Sequence, residues 1–308
     1  MQSSNQIHQS ILFTIRYYDA FSHPLTNFEI WVYAYGKPLE LHEVVYALDE
    51  MVACGTIERF NNFYFMPGRQ ELVKTRAQRY EISQKLWEKA VKATRLLSYL
   101  PFIEGVFVNN SLAFFNCDRE SDIDFTIITT PGRIWTARAL SGVLLQVMGL
   151  RRHGKNIAGE VCLSLYISRE AMDMSSIKPE KYPFFLAYWI GQNSPLLSTK
   201  GCFEGFHQEN SWIKEFLPNI VPHETNYYTR FEKAWAARYI RSILGFILKP
   251  QLIENIARLI QKAKITRSQK KRGNPPSVLF NDSMLKFHTD DWKRVRDIAW
   301  EQYLPPVA

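Results

Sequence analysis

Apolar residues recur with helical spacing through the first part of the chain, and short breaks rich in Pro, Gly and Asn interrupt them. The spacing predicts three helices, over residues 8–21, 27–36 and 40–53. Thr26 followed by Glu29 is a capping-box pattern that marks the start of the second helix. Two short apolar runs on either side of Asn61 and Asn62 then predict a β-hairpin.

Three helices followed by a hairpin is the element order of a winged helix, so residues 1–70 are predicted to form a winged-helix-like domain. The third helix would be the one presented to a DNA groove. Its sequence, ELHEVVYALDEMVACG, contains four acidic residues and no Lys or Arg. Helices that follow phosphates are normally basic. We therefore favour a scaffold or protein-contact role for this domain over DNA reading.

A second group of elements follows residue 70. The mixed-charge segment 71–100 predicts a long connecting helix, which Pro101 ends. Apolar runs then predict the order strand, strand, helix, strand, over residues 103–108, 122–129, 133–149 and 160–168. The pattern thus places a sheet, with a helix that covers it, within residues 101–180.

The remaining residues, 181–308, are predicted to form a helical C-terminal domain. Four segments show helical spacing with Pro or Gly between them, over residues 182–197, 203–219, 227–248 and 250–265. A strand-like start at Ser277 precedes a last amphipathic helix. The fold class expected from the whole pattern is mixed α+β.

The stretch from residue 105 to residue 129 carries the candidate chemistry. Side chains two apart in a strand point to the same face, so Asp122 and Asp124 are expected to lie side by side while Ile123 and Phe125 are buried. Like charges this close raise each other's proton affinity, so the pair favours a bridging Mg²⁺ or Mn²⁺. The alternative is a solvated Ser-Asp turn that leads into an edge strand.

The order of strand, Asn110-Ser111 turn, short helix and Asp-x-Asp strand resembles the signature of the DNA polymerase β superfamily of nucleotidyltransferases. The resemblance spans residues 100–170 and implies a small mixed sheet flanked by helices. It also implies that Asp122 and Asp124 hold the metal and that Asn110 and Ser111 hold nucleotide phosphates. The implied activity is transfer of a nucleoside monophosphate from a nucleoside triphosphate to a hydroxyl, with pyrophosphate leaving.

The chain departs from this family pattern at two positions. Asn110 stands where the family usually has glycine, and it tolerates a left-handed backbone but adds a side chain near the phosphates. Active members generally carry a third carboxylate on a later strand, as general base or metal ligand. Glu160, at the start of the predicted strand 160–168, is the acid available for that role. An ordinary solvated glutamate at a strand end is the alternative.

A basic loop precedes this third strand. Arg151, Arg152 and Lys155 lie within the sequence RRHGKN and are candidate ligands for a triphosphate, since Arg and Lys both serve that purpose. The alternative is a solvated basic segment that complements the dipole of the preceding helix.

Positive charge is concentrated late in the chain. The formal net charge is +8, and residues 238–272 contain ten basic residues against one acid, Glu254. A basic face on amphipathic helices can bind nucleic acid or an anionic membrane surface, whereas a solvated helix face is the simpler alternative. We expect nucleic acid to be a partner of this basic stretch, in addition to the nucleoside triphosphate expected at the aspartates.

Other features bear on location and class. The chain has no uncharged apolar run long enough to span a bilayer and no secretory signal pattern at its start. Its four cysteines lack C-x-x-C spacing, which argues against a zinc site and a disulfide framework. We expect a cytoplasmic protein and assign no oligomeric state. The competing functional hypothesis is a non-catalytic regulator, in which a degenerate nucleotidyltransferase fold and a winged helix bind nucleic acid or a protein.

Overall fold

The computed structural model describes residues 2–154, 157–223, 235–271 and 278–287 together with Trp300. These residues form a mixed α+β fold, as the sequence predicts. The helices are α1 (Gln2–Asp19), α2 (Asn27–Val32), α3 (Leu41–Ala53), α4 (Glu71–Leu97), α5 (Asn110–Ala113), α6 (Ile134–Val147), α7 (Phe184–Gln192), α8 (Cys202–Glu209), α9 (Trp235–Ile247) and α10 (Gln251–Lys271). The strands are β1 (Glu58–Phe60), β2 (Phe63–Phe65), β3 (Ile103–Val108), β4 (Ile123–Thr129), β5 (Val161–Ser168), β6 (Ser194–Ser198), β7 (Leu279–Phe280) and β8 (Met284–Lys286).

Local signals in the first 65 residues act as expected. The Thr26 side chain accepts a hydrogen bond from the backbone of Glu29, whose carboxylate accepts one from the Thr26 backbone, so the capping box is formed. Asn61 and Asn62 both have positive φ, 49° and 63°, which is the backbone that a tight hairpin turn requires. The second helix is shorter than predicted and ends at Val32 instead of Gly36.

The central sheet has six strands in the order β6-β3-β4-β5-β8-β7. β4 and β5 are parallel and are connected through α6, while the other neighbouring pairs are antiparallel. This parallel pair brings the start of β5 beside the Asp-x-Asp segment, because Asp124 pairs with Cys162. A register shift follows, so that Thr126 pairs with Leu165.

The helical prediction for the second half is wrong in one place, because Ser194–Ser198, predicted as the end of a helix, is β6. The strand-like start predicted from Ser277 is confirmed by β7, and β8, Met284–Lys286, follows it. Both β6 and β8 join the sheet from outside residues 101–180. A short buried apolar run cannot be assigned to helix or strand by periodicity alone, and Pro195 is tolerated because β6 lies at the edge of the sheet. The predicted last helix lies largely outside the described residues.

Apolar cores cover both faces of the sheet. One core combines Phe107, Ile128 and Leu165 with α1–α3, α7 and α8, so the N-terminal helices pack against the same sheet as the later ones. The other core combines Val106 and Phe125 with α4, α6 and α10. Within the described part of the chain, no helix is both long and apolar enough to cross a membrane.

Candidate functional site

Three side chains meet where β4 and β5 begin. Asp122 directly precedes β4, Asp124 is its second residue, and Cys162 is the second residue of β5. One carboxylate oxygen from each aspartate and the Cys162 sulfur all lie within 4.8 Å of one another. Asp124 is buried, with 6% of its surface exposed. The strand geometry therefore brings the two predicted aspartates together, and a thiol stands beside them.

Both carboxylates have protein partners. Arg152 donates to Oδ2 of Asp122 across 2.6 Å. Asn110 donates from Nδ2 to Oδ2 of Asp124 across 2.8 Å, and its own side-chain oxygen accepts from the indole of Trp189 at 3.0 Å. The Arg152 guanidinium therefore offsets part of the negative charge of the pair, and the Asn110 amide satisfies one oxygen of Asp124.

Asn110 adopts the backbone that the glycine of the family pattern would supply. Its φ is 53°, in the left-handed region that Asn enters more readily than most residues. Asn110 thus forms this turn without glycine, and its side chain occupies space beside Asp124. Ser111 follows in the short helix α5, and its hydroxyl lies 3.4 Å from the sulfur of Cys117.

The cluster opens into a cavity of about 830 Å³. Its polar wall includes Asn110, Ser111, Asp118, Glu120, Asp122 and Asp124. Its aromatic wall includes Tyr17, Phe21, Phe114, Tyr182, Phe185 and Trp189. Lys181 and Lys286 also line it. A cavity of this size can hold a drug-sized or nucleotide-sized ligand, which would contact both polar and aromatic side chains.

Glu160 lies apart from the cluster of Asp122, Asp124 and Cys162. Its Oε1 accepts a hydrogen bond from Nζ of Lys89 on α4 at 2.9 Å. Its backbone carbonyl accepts from the amide of Ile123, so the residue precedes β5 at the level where β4 starts. Cys162, not Glu160, occupies the third position of the group.

Burial raises the pKa of the Cys162 thiol, and the charges of Asp124 and Asp122 raise it further, while Arg152 acts in the opposite direction. The thiol is therefore protonated at neutral pH in the absence of a cation. One signal could have pointed to Cys162, because a strand paired with β4 must place some side chain opposite Asp124. Its register was not predictable, because it depends on the shift between Cys162 and Leu165.

The basic loop contributes one residue to the site. Arg152 reaches Asp122, whereas Arg151 turns toward α6 and donates to the carbonyl of Gly142 at 3.4 Å. Lys155 lies outside the described residues. Sequence reasoning missed Lys181, which lies shortly before α7, and Lys286, the last residue of β8. Both line the cavity and bring positive charge to it from segments far along the chain.

The basic stretch 238–272 lies mainly on α9 and α10, and Arg272 is outside the described residues. Arg258 and Lys262 approach Asp282 at 3.0 and 3.8 Å. Glu254, the single acid of the stretch, is buried and accepts from the backbone amides of Trp135 and Thr136 at the start of α6. This capping explains why a carboxylate is retained there.

No protein-family model, no curated protein and no solved structure matches this chain. The resemblance to the DNA polymerase β superfamily therefore rests on the motif itself, from Asn110 to Asp124.

Proposed function

We propose that this protein is a metal-dependent nucleotidyltransferase, which transfers a nucleoside monophosphate from a nucleoside triphosphate to a hydroxyl acceptor. The observation that supports it most is the position of Asp122 and Asp124. They lie side by side in the polar wall of the cavity, which also includes Asn110 and Ser111. The donor set consists mainly of carboxylate oxygens, which suit Mg²⁺ or Mn²⁺.

The cavity supplies groups for each part of the substrate. Arg152, Lys181 and Lys286 offer cationic side chains for the phosphates, and Ser111 offers a hydroxyl. The aromatic wall suits the nucleobase, since aromatic side chains stack on any of the nucleobases. When bound, the cation would neutralise charge on the transferring phosphoryl group.

In the proposed reaction the acceptor oxygen forms a bond to the α-phosphorus. The bond between that phosphorus and the bridging oxygen of the β-phosphate breaks, and pyrophosphate leaves. The acceptor proton must pass to a base, and the assignment of Glu160 to this role stays a prediction. Its carboxylate would first have to leave Lys89, which it contacts at 2.9 Å.

The chain's own groups fit a cation, with one condition. Arg152 must move away from Asp122, or the negative charge of the triphosphate must neutralise the guanidinium. Its side chain is 41% exposed, so it can change rotamer without unpacking the core. Asn110 is held more firmly, because Asp124 and Trp189 both contact it. Nucleotide and metal are therefore expected to bind together better than metal alone.

A second candidate function is binding without catalysis. Arg152 and Asn110 already contact the two carboxylates, and the third position is a thiol that would not serve as a general base in its protonated form. These contacts favour a degenerate nucleotidyltransferase fold that recognises nucleotide, nucleic acid or a protein. Both candidate functions use the same cavity, but only the enzyme would release pyrophosphate.

We also infer that α1, α2, α3 and the β1–β2 hairpin form a winged helix that serves as a scaffold. Their apolar residues belong to the core shared with α7 and α8, which supports a role in shaping the cavity wall. Tyr17 of α1 and Phe21 after it line that wall directly. A cytoplasmic location remains a prediction from the sequence.

The function can be tested with calorimetry and a turnover assay. Each nucleoside triphosphate is titrated into the protein with and without Mg²⁺, and pyrophosphate release is measured with hydroxyl acceptors. Asp122→Asn with Asp124→Asn should abolish Mg²⁺-dependent nucleotide binding. Glu120→Gln is the matched control, since Glu120 is an exposed carboxylate of the same cavity outside the cluster. Unchanged binding by the double variant would reject the metal site, and binding without pyrophosphate release would select the non-catalytic candidate.

A further inference from the structure

Two adjoining helices, α9 and α10, expose an unusual amount of apolar surface. Large apolar side chains in this part of the chain that face solvent are Tyr239, Ile240, Ile243, Phe246, Ile247, Leu252, Ile256, Leu259 and Ile260. Phe246 is 78% exposed, and Leu259 is 68% exposed. Single exposed apolar residues are ordinary on a soluble protein, but a concentration of this kind marks an interaction surface.

In α9 the exposed apolar residues recur three and four positions apart, which places Tyr239, Ile243 and Phe246 on one face. The opposite side is attached to the body of the protein. Arg241 donates to the backbone carbonyl of Ile103. Gly245 lies close enough to Pro101 that an added methyl group would touch it at 3.7 Å. The apolar face of α9 is therefore the face turned away from the sheet.

α10 has the same two-sided arrangement. Its inner side is fixed to α6 by Glu254, which caps that helix, and by Gln261, whose Nε2 donates to the carbonyl of Trp135 at 2.7 Å. Leu252, Ile256 and Leu259 lie on the outer side at three- and four-residue spacing. This spacing continues along the same face to Arg267 and Lys270, which are exposed. The outer face thus passes from apolar to cationic along its length.

Positive charge accompanies the apolar surface. The exposed cationic residues of the two helices and of the turn between them, among described side chains, are Arg238, Lys249, Lys264, Arg267 and Lys270. Glu254 is the single acidic residue between residues 235 and 271, and it is buried. Arg258 and Lys262 are drawn toward Asp282, so they add to the inner charge network instead of the outer face. The outer surface of these two helices therefore combines apolar side chains with positive charge, and no acidic side chain of the two helices is exposed beside it.

This combination discriminates between occupants. In a symmetric pair of copies the same face meets itself, which would place like charges together, and neither helix has an exposed acid to offset them. Nucleic acid phosphates would satisfy Arg267 and Lys270 but would leave Phe246 and Leu259 in water. An anionic phospholipid bilayer meets both requirements, since headgroups attract the cations and the acyl boundary accepts the apolar residues.

We propose that α9 and α10 form a peripheral docking face for an anionic phospholipid bilayer. The apolar side chains of both helices enter the boundary between headgroups and acyl chains, and Arg238, Lys249, Lys264, Arg267 and Lys270 contact the headgroups. The helices lie on the surface and do not cross it.

The test is sedimentation of the full chain with vesicles of phosphatidylcholine alone and with vesicles that also contain phosphatidylglycerol, at low and high salt. We expect binding to the anionic vesicles, weakened by salt, and much weaker binding to the neutral ones. Equal binding to both vesicle types, or no binding to either, would overturn the proposal. Strong, salt-sensitive binding to DNA or RNA without vesicle binding would also overturn it and assign the surface to nucleic acid.

Two variants separate the apolar and the cationic contributions. Phe246→Ser should weaken vesicle binding about tenfold or more, because a large ring no longer leaves water. Tyr46→Ser on α3 is the matched control, since Tyr46 is 74% exposed and far along the chain. Arg267→Gln with Lys270→Gln should weaken binding about fivefold for each cation removed. Lys85→Gln with Lys92→Gln, two exposed residues of α4, controls for net charge.

Circular dichroism and thermal melts show whether each variant keeps the wild-type fold. The charge variants alter only exposed side chains and decide the outcome if Phe246→Ser fails to fold. Vesicle binding that both α9 and α10 variants leave unchanged, or that the α3 and α4 controls reduce equally, would refute the assignment to these helices.

Discussion

Asn110 donates a hydrogen bond from its side-chain amide to Asp124 across 2.8 Å, although the two residues belong to different elements, α5 and β4. φ of Asn110 is 53°, so the residue that makes this bond also forms the left-handed turn before Ser111. Asn110 therefore combines a turn with a contact to a carboxylate of the candidate site. Metal affinity should depend directly on this contact.

Asn110→Gly is expected to tighten Mn²⁺ binding by up to about tenfold, because a hydrogen bond to a charged oxygen no longer competes with the ion. Glycine accepts a φ of 53° without strain, so the turn should persist. The measurement is a titration of Mn²⁺ followed by electron paramagnetic resonance. Asn61→Gly is the matched control, since Asn61 has φ of 49° in the distant hairpin. Weaker Mn²⁺ binding by Asn110→Gly would show that Asn110 orients Asp124 for the ion.

Cys162→Asp should raise Mn²⁺ affinity by about tenfold or more, because it adds a third carboxylate to the group formed with Asp122 and Asp124. Without the ion, the variant should melt at a lower temperature than the wild type, since three like charges repel. Added Mn²⁺ should restore the melting temperature of the variant. Glu160→Gln removes a carboxylate that pairs with Lys89 and should leave Mn²⁺ affinity unchanged. Weaker Mn²⁺ binding by Glu160→Gln would place Glu160 in the metal site.

Arg76→Gln should lower the free energy of unfolding by about 2 kcal/mol, because Arg76 makes two charged hydrogen bonds to Glu29, at 2.9 and 2.7 Å. Both side chains are mostly buried, so the remaining carboxylate loses its partner in a poorly solvated position. Urea unfolding measures the change. Arg59→Gln breaks the exposed pair with Asp49 and should change the same quantity far less, because water screens both charges. Similar losses from both variants would contradict the difference in burial.

The free energy of unfolding should decrease as pH falls from about 6.5 toward 3. Burial lowers the pKa of His23 to about 3, and the nearby charge of Arg76 acts in the same direction. The native state therefore keeps His23 neutral where the unfolded chain, with a pKa of about 6.5, takes up a proton. Between pH 7.5 and pH 5 the protonation of this residue in the unfolded chain should lower the free energy of unfolding by about 2 kcal/mol.

His23→Gln tests this dependence by urea unfolding at the two pH values. The variant should be less stable than the wild type at neutral pH but should lose less stability on acidification. His42→Gln on α3 is the matched control, because it removes an exposed histidine and should keep the wild-type dependence. An unchanged pH dependence in His23→Gln would assign the acid sensitivity to other groups, such as the buried His207.

Local sequence determined much of the secondary structure. The Thr26 and Glu29 capping box, the Asn61-Asn62 turn and the long helix after residue 70 all depend on contacts between residues close in sequence. The strands β3, β4 and β5 were also predictable, because their apolar runs are bounded by turns. The segment Ser194–Ser198 was not, since the pairing that makes it a strand is with β3, far away in sequence.

The sequence by itself determined that two aspartates stand two residues apart on a strand after a short helix, and that positive charge accumulates late in the chain. The tertiary structure decided which side chains contact them. Cys162 lies beside the two aspartates, Arg152 pairs with Asp122, and Glu160 pairs with Lys89. It also decided that α9 and α10 turn their apolar faces to solvent. Spacing along the chain fixes which side chains share a face, but sheet register and helix packing, which join distant residues, fix what each face meets.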